Sequence, residues 1–288
     1  MVSALAASLL TAGAMAPATA DTKTNPAPAP SNLTPKATEF PRPADPDADL
    51  RAGIAEAKKQ NKPVEVLPAA TETSRTWAYP DGHLAMESYS APARVKQADG
   101  SWAWMDTSLV EQDGALKPKV AKAKVQFSLG GDAPFATMER AGGQRFALSW
   151  GKTLPRPVIN GNVATYVDAA GPGADLVVTA RSTGFSHDVV LRERPKGPLE
   201  FRLPVESTGI SFGKSKKGGL QLTDAKDKVV AEAPRPVMLE STGESAAGSP
   251  KTRRIGTINT SVVRENGRQI LVLSQTRLGW PTRRRDIP

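Results

Sequence analysis

The sequence contains no cysteine and only two histidines, His83 and His187. The absence of thiols excludes a disulfide-stapled scaffold, a thiolate metal centre and a cysteine nucleophile. Two histidines without cysteine also leave too few ligands for a typical zinc site. Aromatic residues make up only 5% of the 288 residues. The sequence therefore predicts no metal and no cofactor, and residue chemistry alone does not define a function.

The remaining composition is that of a folded protein with many turns. Hydrophobic residues make up 39% and charged residues 23% of the chain, which also has 24 glycines and 25 prolines. A chain of this length can bury the core of one large domain or two small ones. The abundance of glycine and proline favours short elements separated by turns over long helices.

The first 20 residues have the pattern of an export signal. Val2 to Ala16 is apolar and uncharged, and the small residues Ala18 to Ala20 precede Asp21. We predict a signal peptide at residues 1–20 that is cleaved after Ala20, although the usual basic start is missing. A membrane anchor is the alternative, but this run is shorter than the roughly 20 apolar residues that a span needs. The expected location is therefore secreted or at the cell surface, with no membrane span after cleavage.

Two short segments precede the main body. Residues 21–46 contain seven prolines, which predicts an extended, solvated tether. In residues 47–62, Leu50, Ile54 and Ala57 recur at helical spacing between an acidic start and two lysines. This segment is predicted to form one short helix.

The positive charge is concentrated at the C-terminal end. The formal net charge is +9, and nine basic against two acidic side chains in residues 251–288 account for +7 of it. The body is therefore nearly neutral in sum, and residues 276–288 are predicted to be a solvated basic tail. An anionic wall polymer or lipid could attract this tail. A nucleic-acid partner is not expected, because no basic stripe with aromatic or motif support runs through the body.

The body is predicted to be mainly β. From residue 63 onward, short β-branched runs alternate with tight-turn dipeptides such as Asp99-Gly100, Asp113-Gly114 and Asn266-Gly267. No alternation of strands and helices appears, so we expect antiparallel strands packed as a β-sandwich. This sandwich is either one large domain or two in tandem. In the second case the β regions are residues 63–152 and 153–275, joined near the prolines of Leu154 to Pro157.

Two motif matches lack the context that would give them chemistry. Gly209 to Gly213 fits the G-x-S-x-G pattern of serine hydrolases, but a hairpin signal follows it and no histidine lies downstream. The acidic residues at 45, 47, 49 and 56 have calcium-loop spacing, but Leu50 occupies the position that requires glycine. A hydrolase site and a calcium site are therefore not expected, and the chain is predicted not to be an enzyme.

His187 and Asp188 are adjacent on a predicted strand, so their side chains should point to opposite faces.

The tryptophans suggest a binding surface. Trp102 and Trp104 lie two residues apart on a predicted strand and so share a face, and Trp77 and Tyr79 are expected on a neighbouring strand. Exposed aromatic side chains of this kind stack on sugar rings. The alternative interpretation, that these side chains are part of the core, is the commoner use of large aromatics.

Several ordered segments resemble the N-terminal β-rich module of large secreted actinobacterial proteins, which carry LamG-like, DNRLRE-type or RHS/YD-repeat regions downstream. The resemblance covers about residues 50–275. It rests on segments such as Pro80 to Gly82, Asp99 to Trp102, Gly173 to Val178, Gly184 to His187 and Ala233 to Met238. It implies export and a β-sandwich, and supplies no catalytic residue. Such modules continue into a further strand, whereas this chain ends in a basic segment, so we expect a truncated or frame-shifted remnant of a longer protein.

The sequence thus predicts a non-enzymatic exported scaffold or interaction module of a larger cell-surface or secreted protein. The alternative is a carbohydrate- or cell-wall-binding β-sandwich that uses the exposed aromatics, with cell-wall or extracellular polysaccharide as partner. A hydrolase is a third and less supported class. The oligomeric state stays open.

Overall fold

The computed structural model describes residues 3–10, 45, 47–195, 197–244 and 250–275. The predicted basic tail at 276–288 and all but Asp45 of the tether lie outside these residues. The same holds for residues 11–20 of the predicted signal peptide. The described part divides into one unit within Ala14–Ala91 and another formed by Met1–Gly13 with Pro92–Pro288.

The secondary structure is mainly β, as predicted. In the described part of the chain, one α-helix, α1 (Ala48–Gln60), and two short 3-10 helices, Leu67–Ala69 and Ala141–Gly143, accompany the strands. The strands in chain order are β1 (Ser3–Leu10), β2 (Val64–Glu65), β3 (Ser74–Ala78), β4 (Leu84–Ser88), β5 (Arg94–Lys96), β6 (Trp102–Trp104), β7 (Asp106–Gln112), β8 (Ala115–Val120), β9 (Lys124–Phe127), β10 (Ala136–Arg140), β11 (Gln144–Leu148), β12 (Val158–Asn160), β13 (Val163–Gly171), β14 (Ala174–Arg181), β15 (Gly184–Leu191), β16 (Leu199–Thr208), β17 (Ser211–Lys214), β18 (Leu220–Thr223), β19 (Val229–Ala233), β20 (Val237–Glu244), β21 (Pro250–Thr257), β22 (Asn259–Glu265) and β23 (Arg268–Gln275).

The smaller unit holds the predicted helix. In α1, Asp49 lies in the first turn and Lys58 and Lys59 in the last, where each charge is favourable to the helix dipole. Ala57 of the helix packs with Val66 and Ala78 in a small core. The antiparallel strands β2, β3 and β4 form the three-stranded sheet of this unit.

Two large antiparallel sheets build the other unit. One has ten strands, with β12-β13-β14-β15-β1-β19-β18-β17 as its main path and β20 and β21 attached through β1. The other has eight, in the order β22-β23-β16-β11-β10-β9-β8-β7. Since β11 pairs with β16, this sheet continues across residues 153–157. The join predicted there therefore lies inside one unit, and the unit boundary falls near residue 91.

A single hydrophobic core connects the two large sheets. Phe127 of β9 meets Phe185 of β15 edge to face at 6.0 Å between ring centroids. Phe146 of β11 lies 5.4 Å from Phe212 of β17. Each pair joins one sheet to the other, and all four rings are buried. The predicted β-sandwich with one short helix is confirmed.

The N-terminal strand occupies a central place in the ten-stranded sheet. β1 runs antiparallel to β15, with Ala4 opposite Val190 and Leu10 opposite Gly184. On its other side β1 pairs with β20 over four residues and with β19 at Leu10. Part of the segment that reads as an export signal is thus a paired strand in this structure.

Candidate functional site

Trp102 and Trp104 share one face of a two-stranded hairpin. In the antiparallel pair β5 and β6, Arg94 lies opposite Trp104 and Lys96 lies opposite Trp102. Directly opposed residues project to the same face, and alternate residues on a strand do so too. The Asp99-Gly100 turn closes this hairpin, with Gly100 at a φ of 86°. The two indoles therefore share their face with two cationic side chains.

An arginine that the sequence analysis did not identify lies against both indoles. The guanidinium carbon of Arg94 lies 5.3 Å from the ring centroid of Trp102 and 5.5 Å from that of Trp104. Both distances are within the range of a cation–π interaction. Arg94 is 3% exposed, whereas Trp104 remains 48% exposed. The buried Arg94 side chain thus orders the two indoles and covers part of their ring surface.

Trp77 belongs to a polar cluster in the smaller unit. Its indole Nε1 donates a hydrogen bond to Glu87 Oε1 at 3.2 Å, and the Arg75 guanidinium carbon lies 5.0 Å from its ring centroid. Glu87 also accepts hydrogen bonds from Arg75 and from the Tyr89 hydroxyl, each at 2.8 Å. These bonds, the one from Arg75 first, lower the pKa of Glu87.

Tyr79 follows β3 and stacks on His83. The two ring centroids lie 4.1 Å apart, with an angle of 16° between the ring planes. The backbone N–H of His83 donates to the Asp81 carboxylate, and this bond is the main cause of the lowered pKa of Asp81. The stack is therefore a feature of the turn that joins β3 to β4.

The four aromatic residues belong to two hairpins, one in each unit. Trp77 and Tyr79 were expected on a strand next to Trp102, but β3 pairs with β2 and β4, while β6 pairs with β5. The physical reason is that the Asp81-Gly82 and Asp99-Gly100 turns each fold the chain back on itself. The first turn pairs β3 with β4, and the second pairs β5 with β6. Within the larger unit, Trp102 and Trp104 share one face of the hairpin β5–β6.

His187 and Asp188 of β15 project to opposite faces, as their adjacency requires. His187 is 2% exposed and lies edge-on to Phe135, with 5.5 Å between ring centroids. Neither of its ring nitrogens has a hydrogen-bond partner. Burial lowers the pKa of His187 to about 4. On the other face, burial raises the pKa of Asp188 to about 6, and the charge of Arg181 opposes this shift.

The two sequence motifs fall in ordinary structural contexts. Ser211 of the G-x-S-x-G match begins β17, which forms a hairpin with β18, so this serine is not at a strand-to-helix turn. In the calcium-like segment, Asp45 accepts the Asp47 N–H and forms an ion pair with Arg51. Among the described residues, no group of three or more His, Cys, Asp or Glu side chains is placed to hold a metal ion.

No protein-family model, curated protein or solved structure matches this chain. The resemblance to the actinobacterial module stays a prediction.

Within the described ranges, none of the helices has the length and apolarity needed to cross a membrane.

Proposed function

We propose that this chain is a non-enzymatic scaffold or interaction module that is exported to the cell surface or the medium. The observation that supports it is the core shared by the two large sheets. The Phe127–Phe185 and Phe146–Phe212 contacts fix one sheet on the other and leave the outer faces and loops for interactions. A filled interior of this kind suits a body that presents surfaces to partners.

The placement of the ionisable groups also agrees with a non-catalytic role. A general base needs an acid, a nucleophile or a substrate within hydrogen-bond reach. The ring of His187 faces Phe135 in the core, and Asp188 projects from the opposite face of the same strand. The N-terminal segment and the resemblance to secreted actinobacterial modules support export as part of a larger protein.

Secretion combined with activity screening tests this proposal. The full chain, produced with its own N-terminus in a secreting bacterial host, should be recovered from the medium or the cell surface. Screens against esters, glycosides and peptides should show no turnover above buffer. If turnover is detected and Asp188→Asn abolishes it without unfolding the chain, the non-enzymatic role is overturned. Retention in the cytoplasm would overturn export.

A second candidate function is carbohydrate or cell-wall binding through Trp102 and Trp104. The specific observation is that the Trp104 indole is 48% exposed while Arg94 lies against its ring. A ring that is already ordered loses little conformational freedom when a sugar stacks on it. The ligand would contact the hairpin β5–β6.

Pull-down on purified peptidoglycan and immobilised neutral polysaccharides tests this candidate. The full chain should be retained, and Trp104→Ala should lower the retained fraction severalfold. Val229→Ala, which truncates an exposed apolar side chain of β19, serves as the control and should leave retention unchanged. Full retention after both Trp102→Ala and Trp104→Ala would exclude a tryptophan platform.

A further inference from the structure

One strand of the ten-stranded sheet comes from the segment that the sequence predicts to be removed on export. β1 (Ser3–Leu10) lies within the predicted signal peptide at residues 1–20. It pairs with β15 on one side, and with β19 and β20 on the other. We call this position in the sheet the strand slot. Cleavage after Ala20 would empty the strand slot and leave the other strands of the sheet in the chain.

Loss of β1 would leave three strands with an open side along the strand slot. Among the described residues, β1 is the strand that joins β15 to β19 and β20. Without it, β15 would keep only β14 as a neighbour, β19 only β18, and β20 only β21. The main-chain N–H and C=O groups that pair with β1 would then lack partners. Groups of this kind are rarely left unpaired in a folded protein, so another strand should take the place of β1.

The β15 side of the strand slot lacks the features that protect natural sheet edges. Exposed edges usually carry lysine, proline or a bulge, which discourages pairing with another chain. β15 reads Gly-Phe-Ser-His-Asp-Val-Val-Leu, with Asp188 as its only charged residue and no proline. Its pairing with β1 runs from Gly184 to Val190 without a register shift. The sequence of β15 is therefore that of a strand paired on both sides.

The core-facing side of β15 determines which side chains an incoming strand needs. Phe185 meets Phe127 of the other sheet, and His187 lies against Phe135. Val189 follows in alternation and is 2% exposed. Directly opposed residues of an antiparallel pair share a face, so the positions opposite Phe185 and Val189 require apolar side chains. In the register of β1 these two positions are held by Leu9 and Leu5.

His187 adds a polar requirement at the centre of the strand slot. Its side chain is buried, and neither ring nitrogen has a hydrogen-bond partner. The residues opposite it are Val178 in β14 and Ala7 in β1, and neither residue type forms side-chain hydrogen bonds. Buried polar groups are seldom left without a partner. A serine in place of Ala7 would bring a hydroxyl beside the imidazole, because opposed Cβ atoms lie about 5 Å apart.

We propose that the exported chain binds an extended segment of a partner polypeptide in the strand slot, antiparallel to β15. The segment carries large apolar residues opposite Phe185 and Val189 and a hydroxyl side chain opposite His187. Strand addition takes its affinity from main-chain hydrogen bonds and its specificity from alternate side chains. A second copy of the exported chain lacks the same residues and so cannot supply β1. This inference rests on the proposed function, because export with cleavage is what removes β1, and it names the partner and its site.

Peptide binding to the chain recovered from a secreting host tests the proposal. Mass spectrometry should first show that this chain lacks Ser3–Leu10. The probe is a fluorescein-labelled peptide with the sequence of Ser3–Leu10, flanked by lysines that keep it dissolved. Anisotropy should show saturable binding. Hydrogen–deuterium exchange at Gly184–Val190 should slow on binding, and should slow more than exchange in β11 of the other sheet.

Two matched variant peptides separate strand insertion from non-specific adhesion. Leu5→Asn/Leu9→Asn places amides at the core-facing positions and should weaken binding at least about tenfold. Ala4→Asn/Ser8→Asn introduces the same side chains at positions of the opposite face and should change affinity less than about threefold. Equal affinities of the two variant peptides would overturn the proposal.

A third peptide tests the hydroxyl opposite His187. Ala7→Ser should bind the wild-type chain about threefold more tightly than the unmodified peptide, because a buried ring nitrogen gains a hydrogen bond. The same change should bring no gain with the His187→Leu chain, which has no ring nitrogen to satisfy. An equal effect on both chains, or none on either, would overturn this part of the proposal.

Failure of the strand slot is distinguishable from failure of the proposed function. An exported chain that keeps Ser3–Leu10 fills the slot with its own strand, which overturns partner binding and leaves export intact. Absence of peptide binding has the same meaning. Slow exchange at Gly184–Val190 before any peptide is added shows that another segment or a second copy already pairs with β15, and also overturns the proposal. Retention of the chain in the cytoplasm overturns export itself.

Discussion

His187 and Asp188 make opposite contributions to the pH dependence of stability. Burial lowers the pKa of His187 from 6.5 to about 4 and raises that of Asp188 from 3.8 to about 6. Between pH 4 and 6 the unfolded chain therefore carries a protonated histidine and an ionised aspartate. The folded chain carries a neutral histidine and a protonated aspartate. The number of bound protons on the pair is the same in both states, so its net contribution to stability stays flat across this window.

Removing either group should reveal the contribution of the other. In Asp188→Asn, the remaining histidine makes the stability rise as pH increases from 4 to 6.5, because the unfolded state binds the extra proton. In His187→Leu, the remaining aspartate makes the stability fall as pH increases from 4 to 6, because the folded state binds it. Each change is about 3 kcal/mol, since one pKa unit corresponds to about 1.4 kcal/mol.

Urea unfolding of the full chain, followed by tryptophan fluorescence from pH 3.5 to 7.5, measures both slopes. Differences from wild type cancel the contributions of exposed carboxylates such as Asp106 and Asp224, whose pKa values are lowered by local hydrogen bonds. The two difference curves should have opposite signs of slope. Curves for both variants that run parallel to wild type would refute the burial argument for this strand.

Two further predictions concern packing. Tyr166→Phe should lower the free energy of unfolding by about 1 to 2 kcal/mol in urea titrations, because the buried hydroxyl donates to the Ser128 carbonyl at 2.7 Å; an unchanged midpoint would contradict this. Gly219→Ala should lower stability by about 1 to 3 kcal/mol or prevent folding, because its Cβ would overlap the Ala233 carbonyl oxygen. Gly213→Ala, where a Cβ meets nothing within 4 Å, is the matched control, and equal losses would show that packing at 219 is not the cause.

Local signals predicted the elements that depend on neighbours in sequence. Asp113-Gly114 and Asn266-Gly267 adopt positive φ at both residues and join β7 to β8 and β22 to β23. These two-residue turns match the right-handed twist of paired strands. The short helix follows from its apolar spacing and terminal charges. In each case the information lies within a few residues.

Pairings between distant segments could not be predicted in this way. β16 lies between β11 and β23, and the N-terminal β1 lies against β15. These pairings join segments that are far apart in the sequence, so local turn and spacing signals carry no information about them. The candidate site does not share this limit. Arg94 could have been found by extending the Asp99-Gly100 hairpin, which places it opposite Trp104.

Secretion of the full chain combined with turnover screening tests the central claim most directly. The account predicts that the chain is recovered from the medium or the cell surface and turns over no ester, glycoside or peptide above buffer. Retention in the cytoplasm, or turnover by the purified chain, would contradict it.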